Sequence, residues 1–399
     1  MKLAIVIPDG AADEAQPALG GRTPLQAAYR PHMNQLARLG QVGRADNVPE
    51  GFTPASDVAT LSLLGYDPRT CYTGRAPLEA FARGLRLGPD DWAVRCNLVC
   101  VEQGRMADFT AGHITTAEAA DLIAALQSAL GGARHAFHPG VAYRHLLIVQ
   151  GDKSGPFSTQ TWTQPPHDIP DQPVAAYQPR GPGAEWLAEL MTRSQEVLAP
   201  HPVNEARRAA GKRPATQIWL WGQGRAPTLT PFAERFGLRG AMLSGVDLVR
   251  GVGGLLGWEI LDAPGMTDYL DNDYRAQGAA AVAALERFDV VCVHVEASDE
   301  ASHEGRVEAK VEALEKIDRD IVGPLLAALP GYDDWRLLVT PDHPTPLRTR
   351  AHARGCVPFV AAGTGIAPLG QYSYDEATAA LSPLSFAAGH ALLPSLLRR

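Results

Sequence analysis

Lys2-Leu-Ala-Ile-Val-Ile-Pro-Asp-Gly10 is the stretch from which the fold is read. A short, continuous aliphatic run that breaks at Pro-Asp-Gly has the length and character of a strand covered on both faces, as parallel strands are. The same signature recurs at Thr216–Gly222, Gly240–Gly245, Asp289–Val295, Arg336–Thr340 and Val357–Gly363. Helical spacing lies between these runs. From Val307 onward, Val311, Leu314, Ile317, Ile321 and Leu325 repeat at threes and fours, and Pro330-Gly331 closes the pattern. Strand–helix alternation predicts an α/β layered core with a mostly parallel sheet.

The middle of the chain differs. Thr115-x-x-Glu118 is a capping box opening one well-marked helix that Gly131-Gly132 ends, and Gly155–Gly183 is rich in Pro, Gln and Thr. We expect residues 89–183 to form a smaller α+β domain inserted into a core made of 1–88 and 184–399.

Composition narrows the function. The 399 residues are 45% hydrophobic and 20% charged, enough apolar material for a sizeable globular core. No apolar run reaches the ~18–20 residues of a membrane span, and the first residues lack a signal-peptide layout. The five cysteines (Cys71, Cys96, Cys100, Cys292, Cys356) form no C-x-x-C pair, so neither a disulfide framework nor a thiolate zinc knuckle is expected and the cytoplasm is the expected compartment. A net charge of −8 speaks against nucleic acid as a partner. Only five of the 36 basic residues are lysines, so arginine forks dominate any local anion site.

Ligands in open α/β sheets bind at the carboxyl ends of the strands. Three such ends carry acids: Asp9 after Ile5–Pro8, Asp299 after Val291–Val295, and Asp342 after Leu337–Thr340. His303 lies one helical turn beyond Asp299, His343 follows Asp342 directly, and His352 precedes the Val357 run. Mixed Asp/His sets suit borderline divalent cations, and six such residues exceed what one four-coordinate ion needs. Each residue taken singly is also an ordinary surface or turn residue. Ser56, in Thr53-Pro-Ala-Ser-Asp-Val-Ala-Thr-Leu61, sits where a loop enters an apolar helix. That place first suits a helix-capping serine; the functional alternative is a nucleophile aimed at a phosphate. No G-x-S-x-G elbow and no P-loop occurs. Gly251-Val-Gly-Gly lacks dinucleotide-binding spacing and reads as packing glycine, while Trp219 and Trp221 read as core.

With these residues in hand, the chain resembles the archaeal-type, cofactor-independent (2,3-bisphosphoglycerate-independent) phosphoglycerate mutases of the alkaline phosphatase superfamily. The likeness runs through Ile7-Pro-Asp-Gly10, Gly20-Gly-Arg-Thr-Pro-Leu25, Leu64-Gly-Tyr-Asp-Pro68, Tyr72-Thr-Gly-Arg75, Arg95-Cys-Asn-Leu98, Ala111-Gly-His-Ile114, Tyr143-Arg-His-Leu146, Pro166-His-Asp-Ile169, Ile218-Trp-Leu-Trp-Gly-Gln-Gly224 and His294-Val-Glu-Ala297. It implies an alkaline-phosphatase-like core and interconversion of 2- and 3-phosphoglycerate through a phosphorylated Ser56. It also implies two divalent cations (Mn²⁺, Zn²⁺, Co²⁺ or Mg²⁺), one on Asp299, His303 and His352, the other on Asp9, Ser56, Asp342 and His343. The expected partner is a small phosphorylated substrate, with no membrane and no nucleic acid. Arg75, Arg95, Asp108, His113, Arg144 and Lys310 are the candidate substrate contacts, and the inserted domain is expected to close over the site. Pro344-Thr-Pro346 after the Asp-His pair departs from the glycine that many superfamily members carry there. The alternative reading is another phosphotransferase, a monoesterase or a homoserine-kinase-like enzyme on the same scaffold.

Overall fold

A computed structural model describes residues 1–152 and 155–398. Two compact units emerge: Met1–Tyr72 with Thr228–Arg399, and Thr73–Pro227. The inserted unit is therefore longer at both ends than the expected 89–183. Helix Arg75–Ala82 packs on strands Trp92–Glu102 and Gln217–Arg225, and helix Ala184–Leu198 packs on the latter strand and on helix Thr116–Leu130. The composition shifts at Pro89 and Gly183 mark loops inside this unit.

The first unit is built on an eight-stranded sheet. From edge to edge it runs Ser385–Phe386, Gln41–Ala45, Val357–Gly363, Trp335–Val339, Lys2–Pro8, Val290–Val295, Gly240–Leu243 and Glu259–Leu261. Lys2–Pro8 is central and parallel to both neighbours. Val6, Val291, Val293, Val339 and Val360 pack with Met33 and Leu36, Ala281 and Ala284, and Leu314 and Ile317, which lie on helices Pro31–Leu39, Tyr274–Ala284 and Val307–Ile317. The alternate side chains Leu3, Ile5, Ile7 and Cys292 are equally buried. Both faces are covered, which explains the unbroken aliphatic runs.

One strand departs from the expected direction. Val357–Gly363 runs antiparallel to Trp335–Val339 and to Gln41–Ala45. Its amino end thus lies at the edge where the parallel strands have their carboxyl ends, and the loop before it reaches that edge. The helix begun at Val307 continues through a π-type turn at Asp318–Val322 and helix Gly323–Ala328 before Leu329–Gly331 ends it.

The second unit holds a five-stranded antiparallel sheet in which the long Trp92–Glu102 strand pairs with Arg105–Asp108, Arg144–Val149 and Gln217–Arg225, and His135–His138 adds to Arg144–Val149. The run at Thr216–Gly222, expected in the parallel sheet, belongs here and is antiparallel. Residues alternate along Trp92–Glu102. Trp92, Val94, Cys96 and Leu98 join the main core of this unit, whereas Ala93 packs with Ala76 and Ala80. Arg95 shares the parity of Ala93, and its Nε reaches Glu79 on that same helix, Arg75–Ala82. The capping box at Thr115 is present in both directions, and Gly131 caps the far end of its helix.

Candidate active site

Each expected ligand stands at one rim of the large sheet. Asp9 ends the central strand, Asp342 and His343 follow Trp335–Val339, and Asp299 and His303 share helix Ala297–His303, which starts just after Val290–Val295. His352 comes from the loop ahead of the reversed Val357–Gly363 strand. Ser56 is the first residue of helix Ser56–Leu63, but the capping position is Ala55, and no side chain caps that end. Instead Ser56 Oγ donates to Asp9 Oδ2 at 3.1 Å and lies 3.2 Å from His343 Nε2. The serine is turned into the acidic cluster rather than onto its own helix.

The remaining distances tie these groups together. His343 Nε2 is 3.2 Å from Asp342 Oδ2 and 3.7 Å from Asp9 Oδ1. Asp299 Oδ2 is 2.9 Å from His303 Nε2 and 3.4 Å from His352 Nε2, and those two nitrogens are 3.1 Å apart. His303 Nδ1 donates to the Arg350 carbonyl at 2.9 Å and His352 Nδ1 to the Pro54 carbonyl at 3.3 Å. Those bonds commit the Nδ1 protons, so the two Nε2 atoms converge with Asp299 Oδ2 on one point, where a proton or a cation fits between them. Asp9 Oδ1 and Asp342 Oδ2 are buried with no hydrogen-bond partner.

Electrostatics agree. Burial, then Asp342 and Asp299, push the Asp9 carboxyl well above its ordinary range. Burial and Asp9 do the same to Glu296. Burial would raise Asp299 as well, but bonds from His303 and His352 win and hold it well below. His303 is raised to about 9, first by its bond to Asp299. Uncompensated carboxylates beside convergent imidazoles are the donor set of a divalent-cation centre, and the residues present fit one.

Comparison with known proteins follows the same direction. Residues 37–204 match the model of the 2,3-bisphosphoglycerate-independent phosphoglycerate mutase family. The chain is 47% identical over the full length of both chains to a Geobacter sulfurreducens protein named a probable mutase of that kind. It is 48% identical to a Methanothermobacter thermautotrophicus mutase, covering 98% of this chain and 96% of the other. The chain belongs to the 2,3-bisphosphoglycerate-independent phosphoglycerate mutase family. Among solved structures, a Pyrococcus horikoshii protein superposes with a TM-score of 0.84 at 28% identity over 99% of this chain and 96% of its own. The cofactor-independent phosphoglycerate mutase of Thermoplasma acidophilum gives 0.69 at 27% identity over the whole of both chains.

Within this mutase-family chain, the candidate substrate contacts fare unevenly. Lys310 is no phosphate ligand and is not exposed. It is fully buried, and its three ammonium donors are taken by the Gly10 carbonyl (2.9 Å), Asp13 Oδ2 (2.8 Å) and the Thr345 carbonyl (3.0 Å). It ties the Asp9 loop to the His343 loop. Asp108 is likewise committed locally. Its oxygens accept from Thr110 N, Thr110 Oγ1 and Gly112 N, shaping the turn on which exposed His113 adopts φ +50°. Arg144 is exposed beside the Tyr143 ring. Arg75 and Arg95 converge: their Nε atoms lie 3.3 and 3.1 Å from the two oxygens of Glu79, and Arg95 stacks 4.1 Å over Trp221. Burial lowers Arg95 to about 10, against the pull of Glu79.

Sequence reading missed Thr345, Asn47 and His294. The Thr345 hydroxyl lies 2.6 Å from Asp299 Oδ1 and 3.2 Å from His343 Nδ1, bridging the two halves of the centre. Asn47 Nδ2 donates to the Asp342 carbonyl. Gly10, at φ +59°, is obligatory because a Cβ there would lie 2.3 Å from Asp299 Oδ1.

Two outcomes follow. Lys310→Met strands Asp13 in the interior and lowers the unfolding free energy by about 3–5 kcal/mol in urea titrations of the metal-free chain. A loss below ~1 kcal/mol would show that the pair is no strut. The second concerns pH. A His303 raised from 6.5 to about 9 contributes stability that is complete below 6.5 and disappears as pH climbs through 9. A cation must displace that proton, so Mn²⁺ affinity measured calorimetrically rises across this window. A flat profile contradicts the assignment.

Proposed function

We propose that this chain interconverts 2-phosphoglycerate and 3-phosphoglycerate by way of a phosphorylated Ser56 at a pair of divalent cations. The observation that carries the reading is the Ser56 hydroxyl, released from helix capping and turned toward Asp9 and His343. The named activity of full-length relatives supports it. We assign one cation to Asp299, His303 and His352 and the other to Asp9, Ser56, Asp342 and His343. When bound, such cations lower the pKa of a serine hydroxyl and neutralise charge on phosphoryl oxygens.

The chain's own groups account for the rest. Ser56 Oγ forms the new bond to phosphorus, the ester bond of 3-phosphoglycerate breaks, and the released glycerate oxygen takes up a proton. With His343 Nε2 committed to the cation, Asp9 Oδ2 is the acceptor within reach of the proton that Ser56 gives up. The second hydroxyl of the glycerate then attacks phosphoserine, and Ser56 regains its proton. Phosphorus undergoes two in-line displacements with net retention. Helix Ser56–Leu63 begins at the nucleophile, so its amino-terminal N–H groups favour the incoming dianion. Thr345 and Lys310 hold the participating loops in place.

Within the second unit, Arg75 and Arg95 share the Glu79 carboxylate. We assign them to the substrate carboxylate, which a bidentate guanidinium recognises well.

An enolase-coupled assay tests the reaction. Mn²⁺-loaded protein converts 3-phosphoglycerate with inorganic phosphate release near background, and Ser56→Ala loses at least about 10³-fold in kcat while keeping its fold. Phosphate release matching or exceeding transfer would make the chain a phosphatase. Arg75→Gln raises KM for 3-phosphoglycerate roughly tenfold, the scale of one lost charge-assisted bond; an unchanged KM removes Arg75 from the substrate site.

A further inference from the structure

A buried histidine stands behind the nucleophile without belonging to either ligand set. His294 lies in the interior of strand Val290–Val295, 1% exposed, among aliphatic neighbours. Its Nε2 is 2.7 Å from Asp9 Oδ2, the same oxygen that accepts from Ser56. Its Nδ1 is 3.1 Å from Ser244 Oγ. Ser244 Oγ already accepts the Val246 N–H at 3.1 Å, so its single proton is free to be aimed at Nδ1. The carboxylate oxygen opposite Nε2 only accepts, which places the ring proton on Nε2, donated to Asp9, and Ser244 completes the pattern by donating to Nδ1.

The strand backbone that carries the ring is also held. The His294 carbonyl accepts from Gln277 Nε2 at 2.9 Å, Asn272 Nδ2 donates to Gln277 Oε1 at 2.9 Å, and Asn272 Oδ1 accepts the Thr267 N–H at 3.1 Å. Ser244, Asn272 and Gln277 are all buried. On the other side, Ser298 Oγ donates to the Asp9 carbonyl at 2.5 Å. Asp9 is thereby gripped at its backbone and at Oδ2, while Oδ1 is left without a hydrogen-bond partner.

We infer that His294 is a positioning residue: it donates Nε2–H to Asp9 Oδ2 and thereby sets the orientation in which Oδ1 meets a cation and Oδ2 faces Ser56. The ligand atoms of Asp9, His294 and Glu296 also lie within 4.8 Å of one another, as those of a third cation site would. The tautomer argues against that role, because the nitrogen facing Asp9 carries the proton and offers no lone pair. Glu296 Oε2, 3.7 Å from Nε2, is too far to take the proton from Asp9. The assignment rests on the metal reading of Asp9.

Titration of the metal-free full chain with Mn²⁺, followed by calorimetry and by the Mn²⁺ electron-spin-resonance signal, tests it alongside thermal melting of each variant without metal. His294→Leu weakens Mn²⁺ binding about 10–100-fold, the usual cost of losing a hydrogen-bonded support to a ligand. At saturating Mn²⁺ it lowers kcat with KM held within about twofold, because substrate binding is untouched. His294→Gln places an amide N–H where Nε2 was and recovers most of both. Ser244→Ala, which frees the tautomer, gives a smaller loss in the same direction and serves together with Gln if the Leu variant does not fold. Wild-type Mn²⁺ affinity in His294→Leu overturns the inference, as does a Gln variant no better than Leu. A wild-type chain binding one more Mn²⁺ than both variants overturns it too, since His294 would then be a ligand. Wild-type protein that takes up no Mn²⁺ at all overturns the metal reading itself, and this assignment with it.

Discussion

Negative charge buried without matching hydrogen bonds is the constraint around which the first unit is organised. Asp9, Asp299 and Asp342 come from three different strand ends, and Glu296 joins them from the turn after Val295. In a low-dielectric interior such a set is tolerable only with compensating positive charge. Without metal, His303 supplies part of it by holding its proton up to about pH 9, and the unpartnered oxygens of Asp9 and Asp342 are open to a divalent cation. The surrounding devices hold this crowding in register. Lys310 binds the Gly10 and Thr345 carbonyls, Gly10 leaves room for Asp299, and Thr345 spans from Asp299 to His343.

The inserted unit solves a different electrostatic problem. The chain carries a net charge of −8, yet Arg75 and Arg95 are drawn together on one glutamate, and Arg95 also stacks over the Trp221 indole. Glu79 is held below its ordinary range despite burial, because Arg95, Arg75 and Arg83 outweigh desolvation. A guanidinium held this way is pre-organised, so little side-chain entropy remains for it to lose.

The Asp/His cluster at the sheet rim is legible in the sequence for a physical reason. Aliphatic runs that stop at an acid announce a buried strand and its functional end together, and Asp299 with His303 shows one turn of helix. Other features left no such mark. Ser56 has the context of a capping serine, and only the coordinates show that Ala55 holds the capping position. Val357–Gly363 looks like any buried strand, since aliphatic content carries no sign of direction. Lys310 falls in a helical pattern that is amphipathic either way, and its burial depends on Asp13, 297 residues away in sequence. His294 is hidden by its aliphatic neighbours, and its meaning comes from Ser244 and Asp9, both distant in sequence. Domain limits failed to show because helix Arg75–Ala82 and strand Gln217–Arg225 have the composition of the core they do not belong to.

The insertion has a consequence for how the molecule comes into being. Residues 73–227 are one uninterrupted stretch with their own apolar centre, whereas the catalytic unit is split around them. A chain leaving the ribosome exposes Asp9 and Ser56 early, then finishes an entire autonomous unit before the strands that flank Lys2–Pro8 exist. Ser56 is therefore among the first groups synthesised and among the last to acquire its surroundings. A nascent polypeptide cut short anywhere before residue 342 lacks part of the Asp/His cluster at the sheet rim, which is complete only when translation is nearly over.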